Sequence, residues 1–212
     1  MASEVKTNKI SPATGADVTL GDASDTFTIP ASVTLDVNGA IDLTGATKTG
    51  FPAGGLTTAS QWRVQADFTG DAQPIGGGTG TIAVVNSDGY GSLGSAMTES
   101  SGIFAFPSTG YWLCLGQFSF TTTVNSGAAG YLEYTANNGG AWSTASWSAD
   151  ASNYGLRSNV NIYHMMDITD IANQKVRWSI DADITGLGGT QTTMGDAAVT
   201  ETGFTFIKLA DT

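Results

Sequence analysis

The chain has 212 residues, 41% of them hydrophobic and only 13% charged, with 19 Asp and Glu against 8 Lys and Arg for a net charge of −11. That apolar content can bury a core of ordinary size, so the acidity is not that of a disordered tail. The few basic residues are scattered; they cannot form a stripe that neutralises phosphates, and an anionic membrane would repel the chain, so neither nucleic acid nor membrane is expected as a partner.

The first residues, Met1 to Lys9, hold no apolar signal core, and no stretch approaches the roughly 18 apolar residues of a membrane span. Synthesis in a cytoplasm without conventional secretion is expected, although the Ser, Thr and Gly-rich, lysine-poor composition looks extracellular. Between Asp17 and Thr47 come very short alternating units: Val18-Thr19-Leu20, Phe27-Thr28-Ile29, Val33 to Val37 and Ile41-Asp42-Leu43. Asn38-Gly39 between the last two is a tight-turn signal. Strands this short cannot hold a sheet alone, so their apolar edges are expected to meet copies of themselves about a threefold axis; a loosely ordered arm is the alternative. Residues 1–50 therefore read as a β stalk and 51–59, crowded with Gly and Pro, as a linker to a domain over 60–212.

In that domain Gln61 to Phe68 alternates, placing Trp62, Val64, Ala66 and Phe68 on one face against Gln61, Arg63, Gln65 and Asp67. A glycine-rich loop, Gly76 to Gly80, precedes the apolar run Thr81 to Val85. From Tyr111 to Phe120 the residues Trp112, Cys114, Phe118 and Phe120 share one face while Tyr111, Leu113 and Leu115 share the other. With both faces apolar, this strand is expected between the core and a partner subunit. Val160, Ile162, His164, Met166 and Ile168 share a face, Lys175 to Ile180 gives another strand, and Phe204 to Leu209 a last one. Helix periodicity is nearly absent and 28 glycines punctuate the chain, so the fold class is all-β, a sandwich.

Cys114, the sole cysteine, has apolar neighbours and reads as an inert buried thiol. His164, the sole histidine, lacks a nucleophile elbow elsewhere in the chain and a second histidine or thiolate pair, so it reads as a half-buried strand residue rather than a base or ligand. Gly76 to Thr81 is followed by no Lys-Ser/Thr pair and no helix, so it is a loop and not a phosphate cradle. Asp181-Ala182-Asp183 with Gly186 lacks the terminal Glu of a calcium loop. Asp167 and Asp170 are a carboxylate pair whose default reading is solvated turn residues. No cofactor, no metal and no catalytic residue are expected. Trp142 and Trp147, flanked by Ser, Gly and Asn, are candidate ligand-loop residues for sugar or protein contact, with cover for a core edge as the alternative.

Gly89-Tyr90-Gly91 followed by Gly102-Ile103-Phe104-Ala105-Phe106-Pro107-Ser108-Thr109-Gly110-Tyr111-Trp112 resembles the signature of the complement globular-head and tumour-necrosis-factor jelly-roll superfamily, and Thr202 to Leu209 resembles its last strand. The resemblance spans about residues 60 to 212 and implies a ten-stranded jelly roll in a tight homotrimer, with Tyr111, Trp112, Phe118, Phe120, Phe204 and Phe206 as core or trimer-seam aromatics. A calcium ion on the trimer axis is open by the same analogy. Ala66 to Ala72, Met97 to Ile103, Val160 to Tyr163 and the opening Met1 to Ile10 also resemble phrases of small virion proteins of tailed phages. Implied is a non-enzymatic virion surface protein that joins a major capsid or tail protein through residues 1–50. It would be a capsid decoration or cement protein; alternatives are a short tail fibre or receptor-binding tip recognising host surface glycan or protein and, remotely, a hydrolase.

Overall fold

The computed structural model describes residues 56–212 except 88, 123–125, 153–155, 187–188 and 190, together with the isolated positions 26, 28, 34, 36 and 38. The chain divides into two units, Met1–Phe51 and Pro52–Thr212, and the second is described below. Apart from those isolated positions, the stalk expected over 1–50 falls outside the described residues, as do the first residues of the linker.

Twelve strands and no helix occur among the described residues: β1 Ala59–Val64, β2 Ala66–Thr69, β3 Ile82–Val84, β4 Thr98–Ser100, β5 Ile103–Ala105, β6 Gly110–Thr121, β7 Ser126–Thr135, β8 Ser143–Ser152, β9 Arg157–Ile168, β10 Lys175–Asp181, β11 Thr192–Asp196 and β12 Gly203–Ala210. They form two antiparallel sheets. In the seven-stranded sheet β6 pairs with β9 along one side; on the other it pairs with β12 over Tyr111 to Gln117 and with β11 at Phe120 and Thr121. β12 continues to β1 and β3, and β11 to β2. The five-stranded sheet runs β4, β5, β10, β7, β8.

The count exceeds ten partly because the stretch from Gln61 to Phe68 is two strands, broken at Gln65. β1 pairs with β12 and β2 with β11, so the two halves serve different neighbours. Two expected exposures are also overturned. Ala66 is exposed, and Arg63, expected in solvent, is only 2% exposed. Its guanidinium donates to the Ala198 carbonyl at 2.7 Å and to Ser87 Oγ at 2.9 Å, loops that fold over the outer side of β1. The β4–β5 hairpin turns through Ser101 (φ 51°) and Gly102 (φ 81°), both left-handed as a two-residue hairpin turn demands, and Glu99 Oε1 accepts from the Gly102 N–H at 2.6 Å.

The core lies between the sheets. Trp178 of β10 stacks on Phe204 of β12 at 4.9 Å and 7° between planes, and Phe118 of β6 meets both edge-on at 6.0 and 5.7 Å. Phe104 of β5 packs against Trp62, Phe204 and Phe206. These rings need room that side chains on neighbouring strands would take. A Cβ at Gly116 would sit 2.6 Å from the Trp178 ring, and one at Gly130 would sit 2.7 Å from Phe118. The two glycines are thus holes into which the large rings fit.

Gly130→Ala is therefore expected to destabilise the fold by about 1–3 kcal/mol through overpacking, read as a lower denaturant midpoint. Combining it with Phe118→Leu should recover part of the loss, since the smaller side chain vacates the clash; full additivity of the two losses would contradict this packing.

Candidate functional site

β6 carries large apolar groups on both faces, and the structure separates them cleanly. Trp112, Cys114, Phe118 and Phe120 are buried, as are Phe204 and Phe206 of β12, so five of the six aromatics named from the sequence belong to the core of the single chain. Tyr111, the sixth, is exposed, and with Leu113 and Leu115 it faces out of the seven-stranded sheet.

Registry extends this outward face across three strands. Met165 of β9, Leu113 of β6 and Ile207 of β12 form one transverse row; Tyr163, Leu115 and Thr205 form the next. Tyr163 is 74% and Met165 61% exposed, and Leu209 lies further along β12. Beside the rows, Gln61, Val85, Leu115, Tyr163 and Thr205 rim a recess of about 300 Å3. Charged groups on this face of β9 stand at its ends, Arg157 and Asp167, leaving a band without charge between them. A soluble chain seldom leaves so continuous a set of large apolar side chains open unless something covers it.

The opposite surface, on the five-stranded sheet, is polar and aromatic. Glu133 of β7 is its hub. Its carboxylate accepts from Arg177 Nε at 2.9 Å, from Arg177 Nη2 at 3.2 Å, from Gln73 Nε2 at 3.0 Å and from the Ser179 hydroxyl. Burial works to raise the Glu133 pKa, but the bonds from Arg177, Ser179 and Gln73 outweigh it and hold the carboxyl below the usual range. Arg177 also lies over the Trp142 ring, 4.4 Å from its centroid. Trp142, a candidate ligand residue, is thereby engaged as the lid of an ion pair at the β7–β8 turn.

Trp147 is different and not in a loop. It sits within β8, opposite Tyr131 of β7, with the two rings stacked at 6.1 Å and 15°, and it remains 60% exposed. On the other side of Tyr131, a recess of about 250 Å3 is lined by Asp71, Gln73, Glu133, Thr144, Ser179 and Asp181.

The groups weighed for catalysis stand apart from both surfaces. His164 is half-buried on the inward face of β9 with Val160, Ile162, Met166 and Ile168. Registry makes it the cross-strand neighbour of Cys114, a pairing that spacing along the sequence does not reveal. Burial pushes the Cys114 thiol far up, the reverse of an activated thiolate. Asp170 caps its own turn, accepting from the N–H of Ala172 and Asn173 and from Asn173 Nδ2, while Asp167 projects from β9. Asp181 Oδ1 accepts from the Asp183 N–H, and among the described residues no three His, Cys, Asp or Glu gather into a metal-binding group.

No protein-family model and no curated protein matches the chain in sequence. Solved structures do match in shape. The structure of Eiger TNF from S. frugiperda superposes with a TM-score of 0.56 at 12% identity, covering 74% of this chain and 95% of that one. Murine APRIL at pH 5.0 superposes with a TM-score of 0.51 at 10% identity, over 72% of this chain and 98% of that one. The fold is a TNF-like jelly roll.

The Glu133 hub yields a signed pH dependence. Its folded pKa is depressed, so its contribution to stability is complete above the unfolded value near 4.5 and is lost as pH falls through the folded value. Unfolding midpoints should fall as pH drops below about 4.5, and Glu133→Gln should cost about 2–3 kcal/mol at pH 7 while flattening that acid limb.

Proposed function

We propose that the chain is a non-enzymatic, homotrimeric surface protein of a tailed-phage virion, whose jelly-roll head projects outward and whose residues 1–50 join it to the particle. The observation that carries the assembly is the charge-free apolar face formed by Leu113, Leu115, Tyr163, Met165 and Ile207. At a net charge of −11 per chain, association must run through surface that brings few carboxylates together, and this band does so. Three copies about an axis follow from the resemblance to the complement globular-head and tumour-necrosis-factor superfamily, which is supported by the jelly-roll fold. The virion reading is supported by the phage-like phrases from Ala66 to Ala72, Met97 to Ile103 and Val160 to Tyr163, and by a Ser-, Thr- and Gly-rich, lysine-poor composition.

Capsid decoration is the principal assignment, with the head bridging or capping shell subunits. A short tail fibre or receptor tip is the second reading, favoured by the exposed Trp147 on the surface away from the assembly face. The absence of an activated nucleophile at Cys114 and the inward position of His164 support a role without catalysis.

Leu113→Asp together with Met165→Asp, placed at directly paired positions in the middle of the face, should convert a trimer into folded monomers with unchanged β-sheet circular dichroism, weakening association by more than about 100-fold. A variant that stays trimeric would contradict the assigned interface. Deleting residues 1–50 should leave a trimer that no longer joins particles; decoration at normal copy number would place the anchor in the head. In intact particles, hundreds of copies correspond to capsid decoration and a few trimers to a tail position.

A further inference from the structure

We propose that Trp147, Tyr131 and the adjoining recess between Gln73, Thr144 and Asp181 form a binding site for an uncharged pyranose unit of a glycan. The proposal deepens the receptor-tip reading and rests on it for its biological setting, but it is argued from this surface alone.

Trp147 is the starting point. A tryptophan in a strand normally buries its ring, and the other strand tryptophans, Trp62, Trp112 and Trp178, pack on or within the core. Trp147 instead stands on the outer surface of the five-stranded sheet, stiffened by Tyr131 on one side and open on the rest. A ring held in this way loses little conformational entropy when a ligand stacks on it. What stacks on an open indole is a flat apolar surface: a nucleobase, another aromatic ring, or the C–H face of a sugar, whose weakly positive hydrogens meet the negative π face.

The recess decides among these. Tyr131 forms its wall next to Trp147, and apart from Ile180 the other lining groups are hydrogen-bonding: Asp71, Gln73, Glu133, Thr144, Ser179 and Asp181. An apolar ring would strand these groups without water. A nucleotide would bring phosphate against carboxylates. Glu133 is neutralised by Arg177, but Asp71 and Asp181 have no ion-pair partner among the described residues, so the recess keeps a negative field. Anionic sugars are rejected on the same ground.

A neutral sugar answers each feature. Its C–H face covers aromatic ring, and its hydroxyls donate to the free acceptors of Asp71 and Asp181 and exchange hydrogen bonds with Thr144 and Gln73. Asp71 Oδ1 is engaged by the Ala182 N–H and Asp181 Oδ1 by the Asp183 N–H, so both carboxylates are already oriented while keeping their second oxygens. Burial and the charges of Asp181 and Glu133 push the Tyr131 pKa up, keeping the phenol a proton donor. At about 250 Å3, below the roughly 300–1,000 Å3 of drug-sized pockets, the recess suits one sugar ring, and Trp147 lies one strand further on for a second.

The test uses the full chain and tryptophan emission, titrated with β-1,4-linked hexaoses of glucose, mannose and N-acetylglucosamine, with an α-1,6-linked glucose hexaose, and with an oligogalacturonate as the anionic probe. At least one neutral hexaose should shift the emission saturably. Trp147→Ala and Asp181→Ala should each weaken that binding at least 10-fold, Trp147→Phe should retain part of it, and the oligogalacturonate should not bind. Trp147 is exposed, so its substitutions leave the fold intact, which circular dichroism verifies. Saturation by none of the neutral hexaoses, equal binding by the oligogalacturonate, or unchanged affinity in Trp147→Ala would each overturn the site. Sedimentation of the same samples separates the two proposals: a trimer that binds no neutral hexaose removes this site alone, and a monomer that binds one removes the assembly alone.

Discussion

The indole of Trp178 lies flat on Phe204, and through that contact the five-stranded sheet is held to the seven-stranded one. Phe118 closes the cluster edge-on from β6. Rings of this size fill the space between sheets about 10 Å apart only if the strands facing them give way, and they do so at Gly116 and Gly130. Much of β7 follows from this requirement. Its inward residues Ala128, Gly130 and Leu132 are small where Phe118 approaches and larger beyond it. With the interior filled by a few large rings, the outward residues of the same strands are free of packing duty.

What the outward residues became differs between the sheets. On β6, β9 and β12 they are apolar in register, so the sheet has two apolar faces and only one is covered within a chain. On β7 and β10 they are Glu133, Arg177 and Ser179, tied into one network that Trp142 caps. A single sandwich thus presents one face suited to burial against another protein and one suited to remain in water. That division is the physical basis for assigning assembly to the first and recognition to the second.

Legibility in the sequence followed the size of the side chains. β6, β9, β10 and β12 alternate large apolar residues with others, so their existence and faces could be read directly, down to the two-faced character of Tyr111 to Leu115 and the inward position of His164. β7 and β8 carry little such signal, because β8 is mostly Ser and Ala and on β7 Gly130 yields the volume that Phe118 takes from across the core. Arg63 broke the alternation of β1 because loops cover it, a tertiary event that no local pattern encodes. Trp142 and Trp147 sit in one Ser- and Gly-rich stretch and read alike; the start of β8 at Ser143 leaves Trp142 in the preceding turn as an ion-pair lid and places Trp147 within the strand as an open ring. The recess beside Tyr131 draws on four separate segments and has no linear motif at all.

The account depends on the outer face of the seven-stranded sheet being covered by copies of the same chain. Sedimentation equilibrium of the full-length protein, carried down to nanomolar concentration, measures this most directly. The account predicts a single species of three times 21.7 kDa throughout, as expected for an obligate interface. A folded monomer at micromolar concentration, with Tyr163 and Met165 open to solvent, would contradict it.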